Sequence, residues 1–226
     1  MEVQRTKAMF AAIARRYDLA NSVLSAGLHH AWKRRAVAAA GLRRGERVLD
    51  AGAGTGDLAR LAVAQGAQVT AVDVSLEMMA VARMKLGAEA GLRCVGGDIA
   101  DLPFRGGSFD AVLTAFTLRH PTRLDEALRE LMRVLIPGGR LVILEFARPL
   151  RPWTAAAYRV YAALIPAIGG WLTGDADAYT YLVESIRRFP APPVLAGMLR
   201  AVGLRDVAYQ YLTGGIVAIY TAIRPW

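Results

Sequence analysis

The chain has 226 residues, 54% of them hydrophobic, which is enough for one substantial core and short for two full domains. Its single cysteine, Cys94, excludes an internal disulfide framework and a cysteine-built zinc cluster and predicts a reducing, cytoplasmic setting; the first residues lack the basic-then-apolar pattern of a secretory signal. Twenty-eight Lys and Arg against 19 Asp and Glu leave +9, a field that favours anionic surroundings such as the inner face of a membrane. The arginines are scattered along helices with no interleaved aromatics, which argues against nucleic acid as a partner.

Residues 4–40 read as Ala- and Leu-rich helices with breaks near Asn21 and Gly27. From Arg47 the texture changes to an alternation of short apolar runs and helical stretches. "RVLDAGAG" is a strand ending in glycine, "DLARLAVAQG" a helix closed by Gly66, "AQVTAVDVS" a strand ending on Asp73 and "LEMMAVARMKLG" a helix with Met78, Met79 and Met84 in the core. "LRCVGGD" and "SFDAVLTAF" are strands, "RLDEALRELMRVL" a helix and "GRLVILEFARP" a strand. Strands alternating with helices specify a doubly wound parallel sheet covered on both faces. Residues 151–189 read as two or three inserted helices, in which Tyr158–Leu172 is interrupted by Pro166, Gly169 and Gly170 and is too short to span a bilayer. A last helix, "PPVLAGMLRAVG", precedes two apolar runs that meet at Gly214 and Gly215 as an antiparallel hairpin. The expected division is one domain, with N-terminal helices over 1–45, a core over 46–148, a helical cap over 149–190 and a final helix and hairpin over 191–226.

The stretch "VLDAGAGTGD" carries the chemistry. In open α/β sheets ligands bind beyond the strand ends beside the first glycine-rich turn. Gly52, Gly54 and Gly56 bring bare backbone close to a ligand, but the third glycine is one residue early for a dinucleotide loop. Asp57 in the first turn of the next helix would repel a phosphate, unless it serves only the helix dipole, and Asp50 adds a second charge. Bare backbone among carboxylates suits a cationic, phosphate-free nucleoside such as S-adenosylmethionine. Asp73, 18 residues after Thr55, is placed to accept ribose hydroxyls. Asp98 in "GDIADLPF" is placed to receive the adenine amino group, unless it is a turn residue, and Ile99 to pack on the ring.

This arrangement resembles class I S-adenosylmethionine-dependent methyltransferases with a Rossmann-like, open seven-stranded, mostly parallel sheet. "FAAIARRYDLANSVLSAGLHHAWKRR" is similar to the N-terminal signature of the ubiquinone and menaquinone biosynthesis C-methyltransferases, with Tyr17, Asp18, Asn21, Ser25, Gly27, His29 and Trp32 in register. "LPFRGGSFDAVLTAFTLRH", "RVLIPGGRLVILEFARP", "YLVESIRRFP" and "YLTGGIVAIY" resemble its later blocks. The resemblance implies methyl transfer to a ring carbon of a polyprenylated quinol, a naphthoquinol or its benzenoid counterpart. It also implies a cofactor held by Thr55, Asp73, Asp98 and Ile99 with the three glycines. Two positions depart from the family: Ala115 stands where serine is usual, and His120 follows Arg119 where asparagine is usual.

A ring carbon is nucleophilic only when a ring oxygen donates electrons, so the substrate must be reduced, with a base or cation near its hydroxyl. Candidates are Tyr17, Asp18, His29, His30, Arg119 and His120, and no metal is required. Each also has a scaffold role: Tyr17 and Asp18 as caps, His29 as a structural histidine, His120 ending a strand, Arg119 pairing with Glu126 or Glu145. Trp153, Tyr158, Tyr161, Leu164, Ile165, Ile168, Trp171 and Leu172 form an apolar cover for an isoprenoid tail, or the core of a small cap, and beside arginines they predict peripheral membrane contact. A homodimer is left open. The rival readings are an O- or N-methyltransferase of another small aromatic, a nucleic-acid methyltransferase, a nicotinamide oxidoreductase and a non-catalytic binding protein.

Overall fold

A computed structural model describes residues 18–86, 91–120, 123–149 and 152–226; Tyr17 and the side chain of Trp153 lie outside it. Residues 18–24 are helical straight through Asn21, and the chain turns only at Ser25–Gly27 before α1 (Leu28–Ala39). The core then runs β1 (Arg47–Ala51), α2 (Asp57–Val63), β2 (Gln68–Asp73), α3 (Leu76–Leu86), β3 (Leu92–Gly96) and β4 (Phe109–Ala115). It continues with α4 (Leu124–Val134), β5 (Leu135–Phe146), the cap helices α5 (Pro152–Thr173) and α6 (Ala176–Arg188), α7 (Pro192–Ala201), β6 (Arg205–Leu212) and β7 (Val217–Ile223). The seven strands lie in the order β3-β2-β1-β4-β5-β7-β6; β1 to β5 pair in parallel, and β7 pairs antiparallel with both β5 and β6.

Strand β1 is buried from Val48 to Ala51 because helices cover both faces of a parallel sheet, so its side chains alternate between two cores. Leu49, Val112, Leu141 and Ile143 pack with Leu128 and Leu131 of α4 and Leu195 and Leu199 of α7. Val48, Ala111, Leu113 and Leu144 face the other way, onto Trp32 and Val37 of α1 and Leu58 and Ala62 of α2. The spacing of Ala127, Leu128, Leu131 and Val134 puts one apolar stripe of α4 on the sheet, each buried leucine stabilising the fold by about 2 kcal/mol.

A third cluster joins Ala20 to Ala162 and Ile165 of α5 and to Ala178, Tyr179 and Val183 of α6. The cap is therefore built from the N-terminal helix as well as the insertion. Three local expectations need correction. Helix α5 is continuous through Pro166, Gly169 and Gly170, because the glycines are packing contacts: a Cβ on Gly169 would lie 2.3 Å from the Tyr179 ring. Strand β5 begins at Leu135, before the expected start, because Leu135 pairs with Phe109 ahead of a register shift that lets Ile136–Gly139 bulge out. Met78 and Met79 are buried, but Met84 is 82% exposed. Among the described residues no helix is long and apolar enough to cross a membrane.

Candidate active site

At the C-terminal end of β1 the amides of Gly52 and Ala53 both donate to the Val72 carbonyl, at 2.8 and 2.9 Å, tying the glycine loop to β2. Gly52 has φ +72, and a Cβ there would meet Thr117 Cγ2 at 2.2 Å, so the sequence needs glycine for both conformation and space. Asp50, just before the loop, is 1% exposed. Its Oδ2 accepts from the Ala59 amide at 2.8 Å, and its Oδ1 has no partner among the described residues. Burial pushes its carboxyl up to about 7, against the Ala59 amide and the Lys33 charge.

The loop opens on a cavity of about 350 Å³. Its walls include Asp50, Gly52, Gly54, Thr55, Ala115, His29, Arg119 and His120 of the residues expected to carry function. Asp73 touches this wall indirectly: its Oδ2 accepts from the Gly54 amide at 2.8 Å and its Oδ1 from the Ser75 amide at 2.9 Å, while burial raises its pKa. Asp98 and Ile99 do not line it; Asp98 closes a turn by accepting from the Ala100 amide. Gly56, with φ +82, caps α2.

Asp57 does not act as a bare negative charge. Lys33 Nζ lies 2.7 Å from its Oδ2 and Lys85 Nζ 2.9 Å from its Oδ1. Burial works to raise this carboxyl, but the two ammonium groups outweigh it and hold the pKa well below the usual carboxylate range. Asp18, an expected catalytic residue, belongs to the same network: it accepts from Thr55 Oγ1 and from Lys85 Nζ, each at 2.7 Å. The two lysines cancel Asp18 and Asp57, so of the aspartates that line the cavity Asp50 is the one outside an ion pair. His29, His30 and Asp57 bring ligand atoms within 4.8 Å of one another, but both Asp57 oxygens already accept from ammonium groups.

His29 is 4% exposed, with Nδ1 2.8 Å from Ser25 Oγ and its ring 3.8 Å, centre to centre, from the His30 ring and tilted 39° to it. Burial, then Lys33 and His30, lower its pKa to about 4, so it is neutral at pH 7. Arg119 pairs with Glu145, at 3.1 Å, and not with Glu126, which pairs with Arg123. Its guanidinium also donates to the Phe116 carbonyl and sits 5.3 Å from the centre of the Phe146 ring. The Arg119–Glu145 pair is fully buried, and burial raises the Glu145 pKa against the guanidinium. His120 Nδ1 lies 3.2 Å from the Tyr181 hydroxyl of α6, ring against ring.

Several wall residues had no local signal in the sequence. Phe116, Phe146, Tyr179 and Tyr181 line the cavity with Tyr158 and Tyr161. Ala26, Phe116 and Thr213, at three points on its wall, have φ of +48, +57 and +48, a conformation unfavourable for residues with a Cβ. Trp32 Nε1 donates to Thr213 Oγ1 at 2.8 Å, joining the first described helices to the turn before β7.

The same fold occurs in a Thermotoga maritima S-adenosylmethionine-dependent methyltransferase, with TM-score 0.68 and 18% identity over 97% of this chain and 99% of that one. It occurs also in Haemonchus contortus phosphoethanolamine N-methyltransferase 2 in complex with S-adenosyl-L-methionine, with TM-score 0.63 and 18% identity over 82% of this chain and 50% of that one. Proteins named ubiquinone/menaquinone biosynthesis C-methyltransferase UbiE from Azotobacter vinelandii and Pseudomonas putida are 41% and 42% identical over 232 residues. Those matches span 99% of this chain and 91% and 90% of theirs. The model of the ubiE/COQ5 methyltransferase family matches residues 1–224, and with relatives so similar over nearly the whole length, this chain, an S-adenosylmethionine-dependent methyltransferase in fold, belongs to that family.

Proposed function

We propose that the protein methylates a ring carbon of a polyprenylated quinol, demethylmenaquinol before its benzenoid counterpart, and that the whole chain works as one methyltransferase domain. The observation that carries this reading is the cavity that runs from the glycine loop to a wall of Phe116, Phe146, Tyr158 and Tyr179. Such a wall offers aromatic faces to a flat ring and apolar surface to its tail. The names borne by the relatives point the same way.

S-adenosylmethionine fits the residues present, because the unpartnered Asp50 Oδ1 beside the loop offers a buried carboxylate to an ammonium group. When bound, the cofactor supplies an electrophilic methyl group. Gly52 and Gly54 give it room, Asp73 retains lone pairs for ribose hydroxyls, and Ala115 contributes apolar wall. Asp98 and Ile99 are assigned to the adenine end. Thr55 and Asp18 act through their network with Lys85, holding the N-terminal helix against the loop. In this reading His29, neutral and lining the cavity, accepts a hydrogen bond from the ring hydroxyl. Arg119, neutralised by Glu145, positions Phe116 and Phe146.

Methyl-labelled cofactor with reduced short-tailed demethylmenaquinone is expected to give a C-methylated product by mass spectrometry of the extracted lipid. A label found on oxygen or nitrogen, or no product from either reduced naphthoquinone or benzoquinone, overturns the proposal.

The outer face of α5 extends it to a bilayer surface. Val160, Leu164, Ile168 and Trp171 are exposed in one row, beside exposed Leu19 and Val23 of the N-terminal helix. Arg159, exposed next to Val160 in sequence, is the one charged residue of α5, and no acid occurs from Thr154 to Thr173. A chain of net charge +9 with this face is expected to float with anionic vesicles, and Leu164→Ser with Trp171→Ser to release it. Sedimentation of the unaltered protein away from such vesicles at both low and high salt removes this part of the reading.

A further inference from the structure

We infer that Lys33 is a cofactor-binding residue: its ammonium group takes the carboxylate at the amino-acid end of S-adenosylmethionine, beside the Asp50 carboxylate that takes the ammonium of that end. The inference rests on the reading of Asp50 given above and names a partner for the group that reading leaves without one.

The ammonium and carboxylate of the cofactor share one carbon atom, so the residue that holds the first fixes the neighbourhood in which the second must be met. A carboxylate brought out of water without donors loses its hydration uncompensated. The glycine loop has few donors to give. The amides of Gly52 and Ala53 both donate to the Val72 carbonyl, that of Gly54 to Asp73 Oδ2 and that of Gly56 to the Ala53 carbonyl. A cation is needed instead, and among the described residues the lysines and arginines that line the cavity are Lys33 and Arg119.

The two cations sit in different company. Arg119 lies against Glu145 and the Phe146 ring of β5. Lys33, on α1, shares the first turn of α2 with Asp50: its Nζ is 2.7 Å from Oδ2 of Asp57, the first residue of that helix, and Asp50 Oδ2 accepts from the amide of Ala59, two residues on, at 2.8 Å. The Lys33 charge also works to lower the Asp50 pKa. Among the described residues its ammonium has one acceptor, Asp57 Oδ2, out of three N–H donors. With the side chain 13% exposed and lining the cavity, the remaining donors are left for what the cavity holds.

The charges agree. Asp18, Asp57 and an ionised Asp50, three acids, against Lys33 and Lys85, two cations, leave one net negative charge. The sulfonium, ammonium and carboxylate of the cofactor sum to one net positive charge. The bound site is neutral, with the cofactor's zwitterionic end lying between an acid and a base.

Titration calorimetry of the full chain with S-adenosylmethionine and with its decarboxylated form, which keeps the ammonium and the sulfonium, separates the two assignments. Lys33→Met is expected to weaken S-adenosylmethionine at least tenfold, and S-adenosylhomocysteine, which retains the carboxylate, at least tenfold as well. The decarboxylated ligand is expected to bind as tightly as to the unaltered protein or more tightly, because a positive charge has been removed beside a dication. Lys33→Arg is expected to recover most of the loss. Asp50→Asn, by contrast, weakens both ligands. Equal weakening of both ligands by Lys33→Met would mean that the residue only shapes the site, and this result, or no weakening of either, overturns the inference. An Asp50→Asn protein that binds both ligands normally, while Lys33→Met still tells them apart, refutes the ammonium assignment and leaves that of the carboxylate standing.

Discussion

Gly52→Ala is expected to lower S-adenosylmethionine affinity at least 100-fold by titration calorimetry, the largest loss of any single replacement in the glycine loop. Two separate terms add. At φ +72 a Cβ meets its own backbone, which costs about 1–2 kcal/mol. The same Cβ would lie 2.2, 2.4 and 2.8 Å from Thr117 Cγ2, Oγ1 and Cβ. Thr117 cannot rotate away freely, since its hydroxyl donates to the Gly52 and Ala115 carbonyls, each at 3.1 Å. The loop must move instead, and the Gly52 and Ala53 amides leave the Val72 carbonyl that fixes them. Gly54→Ala is the internal control: its φ is +53, but a Cβ there meets nothing within 4 Å, so it suffers only the first term and loses roughly tenfold. Equal losses in the two variants would show that the Thr117 contact is not what demands glycine.

Asp50→Asn is expected to weaken S-adenosylmethionine about 30-fold at pH 8, the loss of one charge-assisted hydrogen bond to an ammonium group, worth about 2 kcal/mol. The pH dependence carries the sharper test. Burial raises this carboxyl from 3.8 to about 7, so the free protein holds a proton there below pH 7. Binding a cation requires its release, and affinity should rise from pH 5 to 7 and level off above, in the wild type only. Stability moves the other way. A raised folded-state pKa favours the fold below the unfolded value near 3.8, and that contribution disappears as pH climbs through 7. Asp50→Asn should therefore melt at or above the wild-type temperature at pH 8. A flat wild-type binding profile across this window would mean that Asp50 is not the group facing the cation.

The parts of the molecule legible in the sequence are those in which local pattern and tertiary environment agree. The buried run Val48–Ala51 and the glycines after it announce a central strand and its turn, and the hairpin at Gly214 and Gly215 is likewise local. Distance in sequence hid the rest. Nothing near Asp57 reveals that Lys33 and Lys85, 24 and 28 residues away, neutralise it. Asp18 looks catalytic beside Tyr17 until the fold brings Thr55 and Lys85 to it. Gly169 and Gly170 read as helix breakers because the sequence does not show Tyr179 and Ala176 pressed against them. Tyr181 and His120, 61 residues apart, carry no shared pattern at all.

Strand β7 lies between β5 and β6, yet it is the last of the seven strands to leave the ribosome. A growing chain therefore holds β5 with one flank unpaired, Val142, Ile143 and Leu144 among its residues, until the final register from Arg140 to Phe146 is filled. From the completion of β5 at Phe146 until β7 begins at Val217, the nascent molecule is a sheet with an open, adhesive margin, and a chaperone that shields this margin protects the protein more than one that shields its surface after release.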